Sequence, residues 1–467
     1  MIGRKKEYQQ LEKLYDSRGF EFLVMYGRRR IGKTYLLADF LTTHKGVYFM
    51  AKEKDEAGNV QGLWRALSRH FTNLPSFAAP SDLDSILSFL DNAEATPSLF
   101  LVIDEYQWFS NDIVRLNAIF QEHIDRWARE KRPIHLVLCG SVISMMRSIT
   151  DDKESPLYGR QTAKLELLPF TYKDISDFFP NMDSKGKLEA YMLTGGVGYY
   201  LSLYRPDDTP ASFIKRNLIS TMGPLRGEVA TLIREEVRKG GPYLRLLSLI
   251  AEGKTTFAEL LPEFENKSAL LSSYLDALSN KLCLIEKAEP ALGGKNKPHY
   301  RIIDLFCRMY FQLIYPNIDD PAYHIDEDVF ASRYITKERI NTFFGSAFED
   351  VCRNFMDLCS VYGRLPDIFP SFHGHWENDK ETSHEFDLAS ISKKGCLILG
   401  ECKWTEREAS AGKYFEMAEY ANKHYPSHRF EAYFFSRSGF STRLVSLAKE
   451  NERIHLLDID SLFENFD

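Results

Sequence analysis

The eight residues Gly27 to Thr34, GRRRIGKT, constrain the fold of this chain more than any other stretch. They fit the pattern G-x-x-x-x-G-K-[ST] and lie between an apolar run, EFLVMYG, and the helical segment TYLLADFL. A glycine-rich turn between a strand and a helix directs backbone N–H groups and the positive end of the helix dipole toward one point, where a phosphate binds. A chance glycine-rich turn would lack this context. The sequence therefore predicts a phosphate-binding loop on a helix-covered parallel sheet.

Polar residues in the loop and at the ends of the buried strands are predicted to bind a nucleotide and Mg²⁺ and to activate a water. Lys33 is predicted to reach the β- and γ-phosphates of a nucleotide, and the Thr34 hydroxyl to hold Mg²⁺. Asp104 ends the apolar run SLFLVID and would bind the same cation through water, while Glu105 would polarise the attacking water. The alternative interpretation is that two acids at a strand end only mark the place where the strand enters solvent. Ser141 follows the run IHLVLCG and is a candidate sensor of the γ-phosphate.

The phosphate loop also carries three arginines, whose side chains are expected mostly to face solvent, with one paired to an acid or a partner. ATP and Mg²⁺ are the predicted cofactors. The loop residues predicted to contact the nucleotide are Gly27, Arg28, Arg29, Arg30, Ile31, Gly32, Lys33, Thr34 and Tyr35.

Composition excludes several classes of protein. With 44% hydrophobic and 27% charged residues, the 467-residue chain is predicted to fold rather than remain disordered. No apolar run reaches the roughly 18 residues of a membrane helix, the polar start MIGRKKEYQQ lacks a signal-peptide core, and the seven cysteines show no CxxC spacing. A cytoplasmic protein with no membrane partner is expected. The net charge of -7 gives no global attraction to nucleic acid.

The first half of the chain resembles a known family. The segments MIGRKKEYQQLEKLY, YGRRRIGKTYLL, LFLVIDEYQWF, LVLCGSVISMM and LYGRQTAKLELLPF are similar to the archaeal-type P-loop ATPases, which are related to AAA+ and STAND ATPases. The resemblance implies that Ile2, Gly3 and Arg4 line the adenine pocket. It also implies that Arg160 faces the γ-phosphate of its own or a neighbouring subunit, although from the residues alone a surface salt bridge is the simpler reading. TGGVGYYL resembles the lid motif of the family, with Gly198 where proline is usual.

A winged helix is predicted after the lid. Residues 243–311 hold three amphipathic segments followed by a hairpin with a Gly/Lys-rich tip, and the segment resembles the winged helix that follows the ATPase in this family. Lys267 and Lys281 flank the segment that would read DNA, and Lys295, Lys297 and Arg301 lie in or beyond the wing. These charges suit phosphates, but a structural or protein-binding winged helix fits the weakly basic helix equally well.

Near the end of the chain, EFDLASISKKGCLILGECKW predicts a β-hairpin with charged residues on one face. Glu401 and Lys403 alternate onto the same face of a strand, and the turn SKKG allows Asp387 to lie beside Glu401. Two adjacent carboxylates repel each other unless a divalent cation joins them, and a nearby lysine can orient a water. A salt-bridged strand pair is the alternative that this short pattern leaves open.

The surrounding elements resemble the PD-(D/E)XK restriction-endonuclease-like fold, and more narrowly the nuclease-like domain of unknown function that follows archaeal-type ATPases. The resemblance implies that Glu349, Asp387 and Glu401 hold a metal, and that Asp387, Glu401 and Lys403 act with it as the catalytic set.

The predicted fold class is α/β, and five segments are expected. They are a P-loop ATPase core with a parallel sheet (1–165), a helical lid (166–229), a winged helix (230–315), a linker (316–336) and a restriction-endonuclease-like α/β domain (337–467). The predicted function is an ATP-hydrolysing regulator coupled to a Mg²⁺-dependent, DNA-directed nuclease. The alternative is a STAND-like signalling or scaffold protein whose last domain only binds nucleic acid or protein. Nucleotide and DNA are the predicted partners, and a homo-oligomer is left open.

Overall fold

The computed structural model describes residues 2–53, 55–71, 80–92, 98–237, 240–293, 297–378 and 383–466. The chain divides into two compact units. The first comprises Met1–Pro169 with Val197–Tyr200, and the second comprises Phe170–Gly196 with Leu201–Asp467.

The first unit is built on a five-stranded sheet in the order β2-β3-β4-β1-β5, in which every neighbouring pair is parallel. The strands are β1 Glu21–Tyr26, β2 Val47–Met50, β3 Leu99–Asp104, β4 Ile134–Gly140 and β5 Ala163–Glu166. The helices are α1 Lys5–Tyr15, α2 Lys33–Thr43, α3 Glu56–His70, α4 Leu83–Asn92, α5 Ile113–Glu130 and α6 Ile143–Asp151.

The apolar runs form strands because both faces of this sheet are covered. Along β1, Phe22 and Val24 enter the core beneath α3 to α6, whereas Leu23 and Met25 enter the core beneath α1 and α2. A strand that is buried on both sides is apolar at every position rather than at alternate positions. The sheet order also sets β4 between β1 and β3, so the ends of these three strands meet at one edge. The predicted parallel sheet is confirmed.

The second unit begins with helices. They are α7 Ile175–Phe178, α8 Ser184–Thr194, the end of α9 Gly198–Ser202 (its residues up to Tyr200 belong to the first unit), α10 Pro210–Ile214, α11 Glu228–Glu236, α12 Gly241–Ala251, α13 Phe257–Leu260, α14 Ser268–Asp276, α15 Leu305–Leu313, α16 Ala322–Ile325 and α17 Glu327–Tyr334. An antiparallel hairpin of β6 Ile285–Ala288 and β7 His299–Ile302 follows α14. Three helices and then a hairpin is the order that predicted a winged helix, which stays a prediction. Helices α16 and α17 lie where the sequence predicted a linker.

The last part of the second unit packs a long helix and two shorter ones on a five-stranded sheet in the order β12-β11-β10-β9-β8. Its elements are α18 Lys337–Val361, β8 His373–Asn378, β9 Ser383–Ile391, β10 Cys396–Lys403, α19 Gly412–His424, β11 Arg429–Ser436, α20 Thr442–Glu450 and β12 Ile454–Asp458. The pairs β8–β9 and β9–β10 are antiparallel, and β10–β11 and β11–β12 are parallel. The predicted hairpin is present as β9 and β10.

The hairpin β6–β7 packs against strand β8 of that sheet. The backbone N–H of Ala291 donates to the carbonyl of Gly374 at 3.1 Å, and the ring of His299 stacks on Trp376 with centroids 4.6 Å apart. This part of the hairpin therefore covers a sheet edge. Lys295, which the sequence placed in the wing, lies outside the described residues.

Arg301 joins the hairpin to helix α18. Its guanidinium donates to Glu286 across the hairpin and to Asp350 of α18, the latter at 2.5 Å. A contact with a phosphate would require one of these ion pairs to break, so that role stays a prediction.

Two sequence expectations concern the whole chain. The described residues include all seven cysteines, and none of these forms a disulfide bond. In the part of the chain that the structure describes, no helix combines the length and the apolar character needed to cross a membrane.

Candidate nucleotide and metal sites

The phosphate loop follows β1 at the edge where the parallel strands end. Gly27 permits a close approach there, since a Cβ at this position would lie 2.3 Å from the carbonyl oxygen of Leu167. Gly32 begins helix α2 with a φ of 106°, which a side chain disfavours. Lys33 is 4% exposed and donates to the carbonyls of Gly27 at 2.7 Å and Arg28 at 3.1 Å. The loop carbonyls thus hold the Lys33 ammonium within the loop.

Asp104, at the end of β3, is fully buried and accepts three hydrogen bonds. The hydroxyls of Thr34 and Tyr48 each donate to its Oδ2 at 2.6 Å, and the backbone N–H of Glu105 donates to Oδ1 at 2.9 Å. The Thr34 hydroxyl and the Asp104 carboxylate therefore lie together, as a Mg²⁺ site of a P-loop protein requires. Oxygen donors of this kind suit Mg²⁺.

Glu105 is held by a small polar network. The Ser141 hydroxyl donates to Glu105 Oε2 at 2.8 Å, and the Gln107 amide donates both to that carboxylate and to the Ser141 hydroxyl, the latter at 3.0 Å. Ser141 was predicted to sense the γ-phosphate, and in this structure it orients the neighbouring acid. The arrangement fixes the direction in which Glu105 can accept a proton from a water.

The loop arginines stack on aromatic rings, whereas the sequence suggested that most face solvent. The guanidinium of Arg30 lies 4.6 Å from the ring centroid of Tyr199, and that of Arg28 lies 5.5 Å from the ring centroid of Tyr200. The Tyr199 N–H also donates to the carbonyl of Arg30 at 3.1 Å. Arg29 is likewise only partly exposed. The segment that resembles the lid motif therefore contacts the phosphate loop despite Gly198.

The N-terminal segment is tied to the same loop. Arg4 is 4% exposed and donates to the carbonyls of Ile31 at 3.3 Å and Leu168 at 2.8 Å. Ile2 is half exposed, and Tyr35, just after the loop, is 66% exposed. The predicted adenine pocket at Ile2, Gly3 and Arg4 stays a prediction.

Arg160 forms a two-point ion pair with Asp125 of α5, at 2.7 and 3.0 Å. This is the salt bridge that the residues alone favoured. A contact with a γ-phosphate would require that pair to break, so the role implied by the resemblance stays a prediction.

In the second unit, the predicted acids converge from a helix and two strands. Burial, together with the nearby charges of Glu349 and Glu401, raises the pKa of Asp387 to about 8. The register between β8 and β9 shifts by one residue near Asp387, and a bulge of this kind re-aims a side chain. Asp387 Oδ2 accepts from the Cys402 N–H at 2.7 Å. Burial also raises the pKa of Glu349.

In this structure the three acids are not arranged as the ligands of one metal ion. Among the described residues, no group of three or more His, Cys, Asp or Glu is placed to hold a metal ion. The metal site predicted at Glu349, Asp387 and Glu401 therefore stays a prediction. Cations of the protein pair with two of these acids: Arg353 donates to Glu349 at 2.8 Å, and the Lys403 ammonium contacts Glu401.

Sequence reasoning missed four residues that contact the predicted ones. Tyr48 and Gln107 contact Asp104 and Glu105, and Arg353 contacts Glu349 and donates to the Asp387 carbonyl at 2.8 Å. The fourth, Lys413 of α19, lies 4.0 Å from Glu401. Gln107 could have been found from its place two residues after Glu105. The other three come from distant segments, and no local pattern marks them.

Two family descriptions match parts of this chain. Residues 1–203 match an ATPase domain found predominantly in Archaea. Residues 310–414 match archaeal and bacterial proteins of unknown function. The second range includes Glu349, Asp387, Glu401 and Lys403.

The chain is also similar to individual known proteins. An uncharacterized protein of Methanocaldococcus jannaschii is 28% identical over 416 residues, which are 87% of this chain and 88% of the relative. The structure of a Walker-type ATPase of Pyrococcus abyssi aligns with a TM-score of 0.52 at 21% identity, covering 67% of this chain and 96% of that one. The ORC2 protein of Aeropyrum pernix aligns at a TM-score of 0.39 and 15% identity, covering 73% and 93%.

The chain therefore carries an archaeal-type ATPase domain on a P-loop sheet. A domain whose family has no known function follows it.

Proposed function

We propose that this protein is an ATP-hydrolysing regulator whose phosphate loop binds Mg·ATP. The observation that carries the proposal is the meeting of Lys33, Thr34, Asp104 and Glu105 at one edge of the sheet. Bound Mg²⁺ would neutralise charge on the phosphates. Lys33 would exchange its loop carbonyls for phosphate oxygens, Thr34 and Asp104 would hold the cation, and Glu105 would accept the proton of the attacking water.

The experiment compares nucleotide binding by the wild-type protein and Lys33→Ala. The variant should lose most of its affinity for ATP, because it lacks the buried ammonium that donates to the carbonyls of Gly27 and Arg28 and is proposed to turn to the phosphates. Lys164→Ala is a matched control, since it removes a lysine from the same unit that pairs with Asp151 instead. Undiminished binding by Lys33→Ala would refute the assignment.

We further propose that Tyr199 and Tyr200 of helix α9 change their contacts with the phosphate loop when the loop binds a nucleotide. Tyr199 and Tyr200 contact Arg30 and Arg28 within the first unit, while the chain on either side belongs to the second unit. Phosphates that draw the arginines toward themselves would change these contacts. The chain connection then offers a route by which nucleotide state acts on the second unit.

For the last domain we propose metal-dependent hydrolysis of DNA phosphodiester bonds. The supporting observation is that burial and the charges of Glu349 and Glu401 raise the pKa of Asp387 to about 8, and that the Lys403 ammonium contacts Glu401. A divalent cation would relieve the repulsion between these acids and would polarise the phosphate and a water. Asp387 and Glu401 would hold the cation together with Glu349, and Lys403 would face the phosphate or the water.

Binding a cation requires the present ion pairs to relax. Arg353 must release Glu349, and Lys403 must release Glu401. The proposal therefore predicts that Mn²⁺ raises the melting temperature of the wild-type protein, and that Asp387→Asn abolishes this rise. A rise of equal size in Asp387→Asn would count against a metal at these acids.

The second candidate function is a nucleotide-dependent switch or scaffold whose last domain only binds a partner. The observation that favours it is that the described acids do not form a metal-holding group, while protein cations pair with two of them. Under this reading Mn²⁺ leaves the melting temperature unchanged. Because the two candidates predict opposite results for wild-type protein, the same measurement separates them.

A further inference from the structure

Tyr48 contacts the acid that is proposed to hold Mg²⁺, and its position in the sheet explains how it reaches that acid. Tyr48 pairs in register with Val102 on the neighbouring strand β3. Residues in register share a face of the sheet, and so do residues two apart along a strand. Tyr48 and Asp104 therefore lie on the same face, and the long tyrosine side chain spans the remaining step to Oδ2 at 2.6 Å.

The carboxylate of Asp104 is completely buried, so its orientation depends on its donors. One oxygen, Oδ2, accepts both hydroxyls, from Thr34 and from Tyr48. Both hydrogen bonds are 2.6 Å long, at the short end of the range for O–H···O bonds. Of these two hydroxyls, that of Thr34 is proposed to bind the cation, whereas that of Tyr48 is not.

The Tyr48 ring is held in place by packing. It lies against the apolar core beneath α1 and α2, which anchors it to the sheet. An anchored ring whose hydroxyl donates to Asp104 is suited to fixing the rotamer of that acid.

We propose that Tyr48 is a positioning residue for the Mg²⁺ of the ATP complex. This inference rests on the proposed function of the phosphate loop. The hydroxyl holds Asp104 turned toward Thr34, so that both oxygen groups face the place of the cation at once. Groups that orient metal-binding side chains typically change metal affinity by about 10- to 100-fold when they are removed.

The test is Tyr48→Phe, which deletes one oxygen and keeps the ring. Binding of a fluorescent ATP analogue is measured while Mg²⁺ is titrated, and again in EDTA. The Mg²⁺ concentration that gives half of the effect should rise about tenfold or more in the variant. Affinity in EDTA should stay within about twofold of wild type, because Tyr48 is proposed to act only through the cation.

Tyr15→Phe is the matched control. Tyr15 packs against the same core, and its hydroxyl accepts from the Lys45 N–H at 3.2 Å rather than contacting Asp104. This variant should keep the wild-type Mg²⁺ dependence. The melting temperature without nucleotide shows whether each variant is folded.

A double variant tests whether the hydroxyl acts through Asp104. If the hydroxyl acts through Asp104, adding Tyr48→Phe to Asp104→Asn should cost no further Mg²⁺ affinity, whereas independent effects would add. A wild-type Mg²⁺ dependence in Tyr48→Phe, an equal loss with and without Mg²⁺, or additive effects would each overturn the inference alone. Absence of any Mg²⁺ dependence in the wild-type protein would overturn the proposed function, and the inference with it.

Discussion

At the scale of single residues, the two acids at the end of β3 lie in different surroundings. Asp104 is fully buried and held by hydroxyl donors, whereas Glu105 has a φ of 53° and accepts from Ser141. A non-glycine residue in this left-handed region costs on the order of 1 kcal/mol, and such residues concentrate at functional sites. The strained backbone turns Glu105 away from the strand direction and toward Ser141, where an acid can meet a water.

Replacing Glu105 by Gln should separate binding from hydrolysis. Gln keeps the size of the side chain and can still accept from Ser141, so affinity for ATP should change little. The rate of hydrolysis should fall by about 100-fold or more, because the base is lost. Measuring ATP affinity and kcat for the same preparation checks this, and hydrolysis at the wild-type rate would show that Glu105 is not the base.

His135 of β4 should make stability depend on pH. It is fully buried, and burial lowers its pKa below 6.5, so it stays neutral in the folded protein. Below about pH 6.5 the unfolded chain binds a proton that the folded protein does not, which favours unfolding. Stability should therefore fall on acidification, by at most about 1.4 kcal/mol per pH unit, until the folded pKa is passed.

Thermal unfolding from about pH 8 to about pH 5 measures this loss. His135→Gln should flatten the acid side of the profile, although the substitution will lower stability at neutral pH. His324→Gln, at an exposed position, serves as the control and should keep the wild-type profile. An unchanged slope in His135→Gln would assign the loss to other groups.

At the scale of elements, three strands of the first sheet could be predicted, whereas β2 and β5 of that sheet and part of the second sheet could not. Strands β1, β3 and β4 are continuous apolar runs, and the ends of parallel strands must meet at an edge, so the phosphate loop and its acids followed from local pattern. Strand β8 has the sequence HGHWEN, which lacks an apolar alternation, and it forms because β9 and the hairpin pack on it. Such pairing depends on distant residues.

The candidate metal site shows the same limit. The pattern D…E-x-K placed Asp387 and Glu401 near each other, because strand alternation and a short turn fix their separation. It did not reveal Arg353, which comes from α18 and holds Glu349. Whether an acid faces a cation of the protein or an empty coordination position depends on tertiary contacts that spacing does not encode.

The hairpin β6–β7 should stabilise the last domain through Arg301. Arg301→Ala removes a guanidinium shared by Glu286 and Asp350, and it leaves the partly buried Asp350 paired with Arg308 and Arg353. We expect a loss of about 1–3 kcal/mol, discounted because the Arg301 side chain is 32% exposed. Chemical denaturation measures it.

Arg245→Ala is the control for this loss, since Arg245 pairs with Glu263 at the surface and should change stability little. A loss no larger in Arg301→Ala than in Arg245→Ala would show that the hairpin contact is incidental.

At the scale of the whole molecule, one chain combines an ATPase domain with a domain that gathers acids and lysines. The two sites lie in different compact units, so each can be disabled without touching the other. If nucleotide state regulates the last domain, Lys33→Ala should change the rate of DNA cleavage although it leaves Glu401 and Lys403 intact. Cleavage assays with and without ATP measure this, and identical rates would show that the two activities are independent.

Cleavage of DNA in the presence of Mg²⁺ or Mn²⁺ tests the central claim most directly. Wild-type protein is compared with Glu401→Gln and with Glu431→Gln, a control that alters another buried, ion-paired glutamate on the neighbouring strand β11. The account predicts metal-dependent cleavage by wild type and by Glu431→Gln, and its loss in Glu401→Gln. Equal cleavage by all three proteins, or none by wild type on single- and double-stranded DNA with and without ATP, would contradict it.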